Sequence, residues 1–233
     1  MKEEHPPGFD AYAENYDRAL AAGLSVTGEH KEYFAAMRIK ELGSLLERLD
    51  FPVNQVLDFG CGTGSSVPFL LDLKGVTSVT GVDVSEKSLE IARKQDANGR
   101  ARFDSLQQFR PDGHFDLVFC NGVFHHIPPK DRSSAINTVF NALRSGGIFA
   151  FWENNPWNPG TRYVMSRIEF DRDAVTLSPP NARKLLREGC FRIIRTDFFF
   201  YFPRFLKYLR PSELFLKKLP FGAQYQIIAQ KID

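Results

Sequence analysis

Residues 53–66 read V-N-Q-V-L-D-F-G-C-G-T-G-S-S, and this stretch decides the fold class of the chain. Its apolar and β-branched residues predict a buried strand that ends at Asp58. Three glycines follow within residues 60–64, and an apolar segment resumes at Val67. Because glycine lets a backbone turn tightly while a ligand lies against it, the stretch predicts a strand, a ligand-binding loop and a helix in succession.

The spacing of these glycines, G-x-G-x-G, is one residue shorter than the G-x-G-x-x-G that binds a dinucleotide pyrophosphate. Asp58 lies just before the loop, where its carboxylate would repel a pyrophosphate and would suit a cationic amino-acid ligand. Both features count against the alternative of an NAD-dependent oxidoreductase. The pattern resembles motif I of the class I S-adenosylmethionine-dependent methyltransferases.

Segments with strand and helix character alternate along the rest of the chain, which predicts an α/β, doubly wound, Rossmann-like fold with helices on both faces of a mostly parallel sheet. The resemblance adds a seven-stranded sheet whose last strand runs antiparallel in a late hairpin. After the first strand, further strands are predicted at Thr77–Val84, Ala101–Phe103, Phe115–Cys120, Gly147–Trp152, Phe191–Phe202 and Gln224–Gln230. Helices are predicted at Glu29–Leu49, Val67–Leu73, 85–94 with Ser85 as the N-cap, Asp131–Leu143 and from Ser178 to the stop at Gly189.

Length and composition favour one domain that acts on a small molecule. The chain has 233 residues, 43% of them hydrophobic, and a formal net charge of +2. This near balance of charge does not indicate a basic surface that would bind a nucleic acid. No apolar leader or membrane-length segment is present in the sequence, so a cytoplasmic location is expected. The three cysteines are odd in number and widely spaced, so they are predicted to be reduced thiols.

Within the single domain, the sequence predicts three regions. Residues 1–50 form an N-terminal helical cap, 51–152 the cofactor-binding core, and 153–233 an acceptor-side loop, the late strands and an apolar insert. Tyr12 and Tyr16 lie four residues apart, on one face of a helix. This face either packs on the sheet or, as in the family, closes over the cofactor.

The cofactor that the resemblance implies is S-adenosyl-L-methionine. Asp83 ends the second strand about twenty residues beyond the glycines, the offset at which an acid accepts hydrogen bonds from both ribose hydroxyls. The resemblance assigns Asp104, followed by the small Ser105, to the adenine amine. The cofactor-binding residues predicted in this way are Tyr16, Asp58, Gly60, Cys61, Gly62, Gly64, Asp83, Val84, Asp104, Ser105 and Asn121.

His125, His126 and Glu153 are the predicted catalytic residues. The histidines follow the fourth strand, and imidazole has a suitable pKa for a general base, although either could simply be a polar residue at the start of a helix. Glu153 would point from a loop into the acceptor pocket or into solvent. No metal is predicted, because these residues lack a spacing signature for one.

Residues 121–124 read N-G-V-F, without the two prolines of the Asn-Pro-Pro-aromatic motif that enzymes methylating amino groups of nucleobases and glutamine share. The sequence therefore predicts O- or C-methylation of a small-molecule acceptor, a metabolite or a saccharide, by a histidine base or by proximity alone. A non-catalytic scaffold that binds the cofactor is the other alternative.

Residues 198–221 are too rich in aromatic residues and leucine for an ordinary surface connection. Three interpretations, in order of preference, are a core-facing strand and helix, a lid or homodimer surface, and a basic amphipathic element for peripheral membrane contact. The part near Tyr201 to Tyr208 is predicted to line an apolar acceptor pocket or a subunit interface.

Overall fold

The computed structural model describes residue 10 and residues 16–96, 99–172 and 174–232, with the backbone alone for residues 16 and 17. Tyr12 and the side chain of Tyr16 lie outside this set, so the predicted role of the two tyrosines stays a prediction. Among the described residues, no helix is both long enough and apolar enough to cross a bilayer.

One sheet organises the described part of the chain, and its strand order is β3-β2-β1-β4-β5-β7-β6. Neighbouring strands are parallel except β7, which is antiparallel to both β5 and β6. The predicted seven-stranded, doubly wound sheet with a late hairpin is confirmed. The strands are β1 (Gln55–Phe59), β2 (Ser78–Asp83), β3 (Ala101–Ser105), β4 (Phe115–Asn121), β5 (Leu143–Asn154), β6 (Phe191–Phe199) and β7 (Gln224–Lys231).

Helices cover both faces of this sheet. They are α1 (Tyr16–Leu24), α2 (Lys31–Arg48), α3 (Val67–Leu71), α4 (Glu86–Gln95), α5 (Arg132–Ala142), α6 (Pro159–Arg167), α7 (Pro179–Glu188) and α8 (Glu213–Leu216). The described residues also form 3-10 helices at Ser25–Thr27, Pro129–Asp131, Glu169–Asp171 and Arg204–Ser212. Ser85 caps α4 as predicted, since its side chain accepts a hydrogen bond from the backbone N–H of Ser88.

Side chains of the central strands alternate between two apolar cores. In β1, Val56 packs in the core that contains Leu42 of α2 and Leu70 of α3. The next residue, Leu57, packs in the opposite core with Val139 of α5. Both faces of the strand are therefore buried, as a parallel sheet requires. Polar groups that serve a ligand must lie at the strand ends.

Residues 143–160 differ from the prediction at both ends. Helix α5 stops at Ala142 and β5 begins at once with Leu143, three residues before Gly146 with its φ of 70°. At the other end, Glu153 belongs to β5 and pairs in register with Tyr225, so its placement in a loop is wrong. The strand is extended because β7 supplies a ladder partner up to Asn154.

Helix α6 was not predicted, although its start has a recognisable signal. Asn158 caps the helix by accepting a hydrogen bond from the N–H of Thr161 at 2.9 Å, and Pro159 takes the first helical position. An N-cap Asn followed by Pro is a common helix start. The proline-rich composition of the stretch concealed this signal.

Gly222 lies in the turn that joins the apolar insert to β7. A Cβ on this glycine would lie 2.5 Å from the carbonyl oxygen and 2.6 Å from the backbone nitrogen of Phe199. The same turn is held by the side-chain amide of Asn155, which donates to the Gly222 carbonyl at 2.8 Å. The close backbone approach at the start of the β6–β7 hairpin therefore requires glycine.

We predict that Gly222→Ala lowers the free energy of unfolding by about 2 kcal/mol or more, because backbone atoms must move to admit the methyl group. The matched control is Gly43→Ala in α2, whose added Cβ meets only the flexible end of the Leu73 side chain. Since alanine also favours the helix, the control should be neutral or stabilising. Urea unfolding of both variants measures the difference, and equal stability would contradict the packing described for the turn.

Candidate functional site

The candidate site lies at the carboxyl ends of β1, β2, β4 and β5. The strand order reverses between β1 and β4, which is the position where open α/β sheets bind ligands. The loop after β1 folds back onto the end of β2, because the N–H groups of Gly60 and Cys61 both donate to the carbonyl of Val82, at 2.8 and 3.0 Å. The glycine loop is thereby fixed beside the strand that ends at Asp83.

All three glycines of the loop have positive φ angles: 76° at Gly60, 53° at Gly62 and 79° at Gly64. Their surroundings differ. A Cβ at Gly60 would collide with the side chain of Val123 at 2.3 Å, whereas a Cβ at Gly62 would meet nothing within 4 Å. Gly60 therefore permits close packing, and the backbone of Gly62 borders open space that a ligand can occupy.

Asp83 joins the glycine loop to the start of α4. One carboxylate oxygen accepts a hydrogen bond from the Gly62 N–H at 2.8 Å, and the other accepts one from the Ser85 N–H at 2.9 Å. Burial raises the pKa of Asp83 despite these backbone donors. Because each carboxylate oxygen has more than one lone pair, both can still accept a hydrogen bond from a ligand hydroxyl.

Asp58 and Asn121 end neighbouring strands, and both carry unsatisfied polar atoms. The Oδ2 of Asp58 and the Oδ1 of Asn121 are buried without a hydrogen-bond partner among the described residues. Burial and then the charge of Asp83 raise the pKa of Asp58 to about 8. Unpaired buried acceptors are costly, so this pair of side chains fits a ligand that brings positive charge or N–H donors.

Other predicted cofactor residues lie around the same edge. Val84 is exposed directly after β2 and offers an apolar surface beside Asp83. Asp104 and Ser105 are in register with Val82 and Asp83 at the end of β3. In this structure, the Asp104 carboxylate lies 2.7 Å from Nε of Arg102. Its assignment to an adenine amine stays a prediction.

Cys61 lies in the loop itself, and its side chain is buried in the core on the α2 side of the sheet. Burial raises the pKa of its thiol well above the usual value, as it does for Cys120 at the end of β4. Both cysteines are free thiols, as predicted, and both are buried as small packing side chains. Cys61 therefore lies beside the cofactor loop as a packing residue.

A buried cluster of ionisable groups forms the other wall of the site. Nδ1 of His125 lies 2.6 Å from Oε2 of Glu153, and Oε1 of Glu153 accepts a hydrogen bond from the Phe124 N–H at 2.7 Å. Oδ1 of Asp171 lies 3.4 Å from Nε2 of His125 and 3.2 Å from Nε2 of His126. Asp171 was not predicted as a site residue, since nothing in its spacing relates it to the histidines.

The two histidines differ in protonation. Burial acts to lower the pKa of His125, but Glu153 and Asp171 outweigh it and raise that pKa to about 10. Burial is also the largest influence on His126, and there it prevails and lowers the pKa. At neutral pH, His125 is therefore a fixed imidazolium and His126 a neutral imidazole that can accept a proton.

The nitrogen and oxygen atoms of His125, His126 and Asp171 lie within 4.8 Å of one another, close enough to be considered as metal ligands. The imidazole ring centroids, however, are only 4.0 Å apart. Two imidazoles on one tetrahedral ion, with metal–nitrogen bonds of about 2.0–2.1 Å, hold their centroids roughly 5 Å apart. The rings would have to separate to bind an ion, so the geometry suits a hydrogen-bonded ion cluster better.

Next to the glycine loop is a cavity of about 370 Å³. Its inner end is bordered by Ser65, Asn121 and His126. Other walls come from α1, α2, α6 and residues 200–203, which follow β6. The apolar side chains there include Leu24, Phe34, Val164, Met165, Phe200 and Phe202. The cavity therefore has mostly apolar walls, with charged side chains such as Glu29, Arg38 and Glu213 among them.

Glu153 does not line this cavity and is fully buried behind His125, so its predicted direct contact with an acceptor is wrong. The neighbouring Asn154 does line it, whereas Trp157 does not. Within residues 201–208, Tyr201, Phe202 and Pro203 line the cavity as predicted, but Phe205 and Tyr208 point into solvent. The preferred interpretation of the apolar insert as a core-facing element is therefore wrong for its exposed part.

Comparison with known proteins agrees with this geometry. Residues 56–147 match the model of a family described as "Methyltransferase domain". The trans-aconitate 2-methyltransferase of Agrobacterium fabrum is 33% identical over 102 residues, which cover 42% of this chain and 39% of that protein. The 27-O-demethylrifamycin SV methyltransferase of Amycolatopsis mediterranei is 31% identical over 158 residues, which cover 61% of this chain and 55% of the relative. The chain thus spans about half the length, or less, of these curated relatives.

Solved structures extend the similarity in fold to nearly the whole chain. The magnesium protoporphyrin IX methyltransferase of Synechocystis, with S-adenosylhomocysteine bound, superposes with a TM-score of 0.62 at 19% identity and covers 96% of both chains. A putative methyltransferase in complex with the Trm112 activator, from Haloferax volcanii, reaches a TM-score of 0.66 at 18% identity and covers 99% of this chain and 100% of the other. Residues 56–147 are therefore similar to a methyltransferase domain, and the glycine loop and the strand-end acids agree with the resemblance to the class I S-adenosylmethionine-dependent methyltransferases.

Proposed function

We propose that this protein transfers a methyl group from S-adenosylmethionine to a small acceptor with an apolar body that binds in the cavity. The observation that carries the proposal is that the cavity is continuous with the predicted cofactor site at the glycine loop. The glycine loop leads into Ser65 and Ser66, and these residues, together with Asn121 and Gly122 at the end of β4, also border the cavity. An acceptor in the cavity would therefore meet a cofactor bound along the loop.

The chain's own residues fit the cofactor in charge and in shape. We assign Asp58 to its ammonium group, since a cation would satisfy the buried, unpartnered carboxylate oxygen. Asp83 would accept hydrogen bonds from the ribose hydroxyls while it holds the Gly62 N–H. When bound, S-adenosylmethionine supplies a methyl group on a positively charged sulfur. The protein then has to hold an acceptor in line with that group and exclude water.

For an acceptor that must lose a proton, we assign the general base to His126. It borders the cavity and is neutral at physiological pH, because burial lowers its pKa. Asp171 lies 3.2 Å from Nε2 of His126 and would stabilise the imidazolium formed when the proton arrives. His125 also lines the cavity, but in this proposal it acts with the buried Glu153 to position His126 and does not take the proton.

The acceptor is inferred from the cavity and not from the relatives, whose names indicate very different substrates. These are trans-aconitate, a malonyl-[acyl-carrier protein] and a rifamycin derivative. The cavity walls here are mostly apolar, which supports an apolar metabolite over a saccharide. A screen of apolar hydroxyl compounds for formation of S-adenosylhomocysteine tests the proposal. Binding without turnover on any of them would favour the non-catalytic scaffold, and preference for NAD in calorimetry would favour the oxidoreductase.

We predict that Asp83→Ala weakens the binding of S-adenosylhomocysteine by about 1.5 to 3 kcal/mol, because two charge-assisted hydrogen bonds to ribose are lost. Isothermal titration calorimetry measures the change, and a thermal melt verifies that the variant is folded. Asp72→Ala, at an exposed acid after α3, is the control and should bind normally. Unchanged affinity in folded Asp83→Ala would remove this residue from the cofactor site.

We predict that cofactor binding releases a proton from Asp58. The pKa of this carboxyl is raised to about 8, so it is mostly protonated at pH 7 and must ionise to hold an ammonium group. Affinity for S-adenosylhomocysteine should therefore fall up to tenfold per pH unit as the pH drops from 8 to 6. Calorimetry at pH 7 in phosphate and in Tris gives the number of protons released. Asp58→Asn should retain only the pH dependence of the ligand, and equal proton release by both proteins would refute the assignment.

We predict that His126→Ala lowers kcat roughly hundredfold with little change in cofactor affinity. His125→Ala should instead lower the free energy of unfolding by about 3 to 5 kcal/mol, because Glu153 and Asp171 would stay buried without a counter-charge. The surface histidine His114 supplies a control, since His114→Ala should alter neither quantity. Full turnover of His126→Ala from pH 6 to 9 would assign catalysis to proximity alone.

A further inference from the structure

The segment of residues 204–221, here called the outer segment, exposes an unusual amount of apolar surface. It comprises the 3-10 helix Arg204–Ser212, helix α8 and the turn that follows. Its exposed large side chains are Phe205 at 75% exposure, Tyr208 at 83%, Leu214 at 64%, Phe215 at 87% and Phe221 at 65%, with Leu206, Leu209 and Leu219 between 37% and 48%. Contiguous exposed apolar surface of this kind marks an interaction site.

The orientation of the outer segment is the reverse of that of an ordinary surface helix, because polar groups fasten it to the rest of the protein. Arg210 lies 2.9 Å from Glu29, and Lys217 lies 2.6 Å from Glu41 of α2. The carboxylate of Glu213 accepts hydrogen bonds from the N–H groups of Tyr201 and Phe202, at 3.2 and 3.0 Å. These contacts hold the aromatic side chains toward solvent.

We propose that the outer segment docks on a lipid bilayer that carries negative charge. The segment has five basic residues and one acidic residue, and that acid, Glu213, faces the protein. Three of the cations, Arg210, Lys217 and Lys218, pair with acids outside the segment. Lys207 and Arg204 are exposed with no acidic partner among the described residues, and Arg204 also donates a hydrogen bond to the Gly28 carbonyl at 3.2 Å. Aromatic and leucine side chains that can enter the interface, together with cations that meet anionic headgroups, are the features of a peripheral membrane element.

The same charges argue against a second copy of this chain as the occupant. A two-fold dimer places the same patch on both partners, so Lys207 and Arg204 of one copy would approach those of the other. The patch offers no exposed acid to compensate them. Like charges brought together in a partly desolvated interface are repulsive, whereas an anionic membrane attracts both.

The outer segment also forms the rim of the acceptor cavity. Arg210 and Glu213 line this cavity together with Tyr201, Phe202 and Pro203, which lead into the segment. A bilayer held against the outer segment would therefore lie at the mouth of the cavity. An amphiphilic acceptor could pass from the lipid to the site without crossing water. This last step rests on the proposed function, whereas the docking does not.

The test uses the full chain and co-sedimentation with vesicles of phosphatidylcholine alone and with 30 mol% phosphatidylglycerol. We expect binding to the anionic vesicles that weakens at high salt. The triple variant Phe205→Ser, Tyr208→Ser, Phe215→Ser should lower the partition coefficient roughly tenfold or more. The control is the double variant Leu49→Ser, Ile232→Ser, which removes exposed apolar side chains outside the outer segment, before β1 and after β7. It should bind the vesicles as the unaltered chain does.

Light scattering and calorimetry complete the experiment. No sedimentation of the unaltered chain with anionic vesicles, or equal sedimentation of the triple variant, would overturn the proposal. The proposal would also be overturned if the unaltered chain were a dimer in solution and the triple variant a monomer, because the outer segment would then be a subunit interface. Binding of S-adenosylhomocysteine should be unchanged in the triple variant, since the cofactor residues are elsewhere. If the unaltered chain does not bind S-adenosylhomocysteine, the proposed function is contradicted, but the result for membrane docking is unaffected.

Discussion

The acceptor side of this protein depends on one buried charge, the imidazolium of His125. It lies between the carboxylates of Glu153 and Asp171, which come from β5 and from the 3-10 helix after α6. Burying two carboxylates without a counter-charge would cost several kcal/mol, so the protonated ring determines how these segments approach one another. The neutral His126 beside it owes its position at the cavity to the same arrangement. The charged histidine of the ion cluster and the histidine proposed as the base are thus neighbours with different protonation.

The predicted cofactor side has the opposite electrostatic situation, since neither Asp58 nor Asp83 pairs with a cationic side chain in the described part of the chain. Asp58 and Asp83 end adjacent parallel strands, and Asp83 raises the pKa of Asp58 in addition to the effect of burial. A ligand that carries an ammonium group and ribose hydroxyls relieves both constraints at once. In the proposed site, such a ligand would supply the counter-charge that lets Asp58 ionise. This relation explains why an anionic pyrophosphate would be a poor ligand for the same loop.

The sequence could predict the features that depend on local patterns. The glycine loop, the acid at the end of β2 and the alternation of strands and helices follow from spacing and periodicity along the chain, whereas the seven strands and the late antiparallel strand were implied by the family resemblance. The role of Asp171 could not be found in this way, because it meets His125 only through the path of α6. Burial of Glu153 likewise depends on pairing with Tyr225, a residue far along the chain. Pattern reasoning finds the cofactor site because its residues lie in consecutive motifs, and it misses an acceptor site assembled from distant segments.

The outer segment shows the limit of composition as evidence. Its phenylalanines and leucines suggest a core element, but hydrophobicity does not say which face of a segment meets the protein. The deciding residues are Arg210, Glu213 and Lys217, whose partners lie on the protein side. Because ion pairs near the surface contribute little stability, this attachment is weak compared with the apolar area that stays exposed. The fold gives no reason for Phe205, Tyr208 and Phe215 to be aromatic, whereas the docking proposed for the outer segment does.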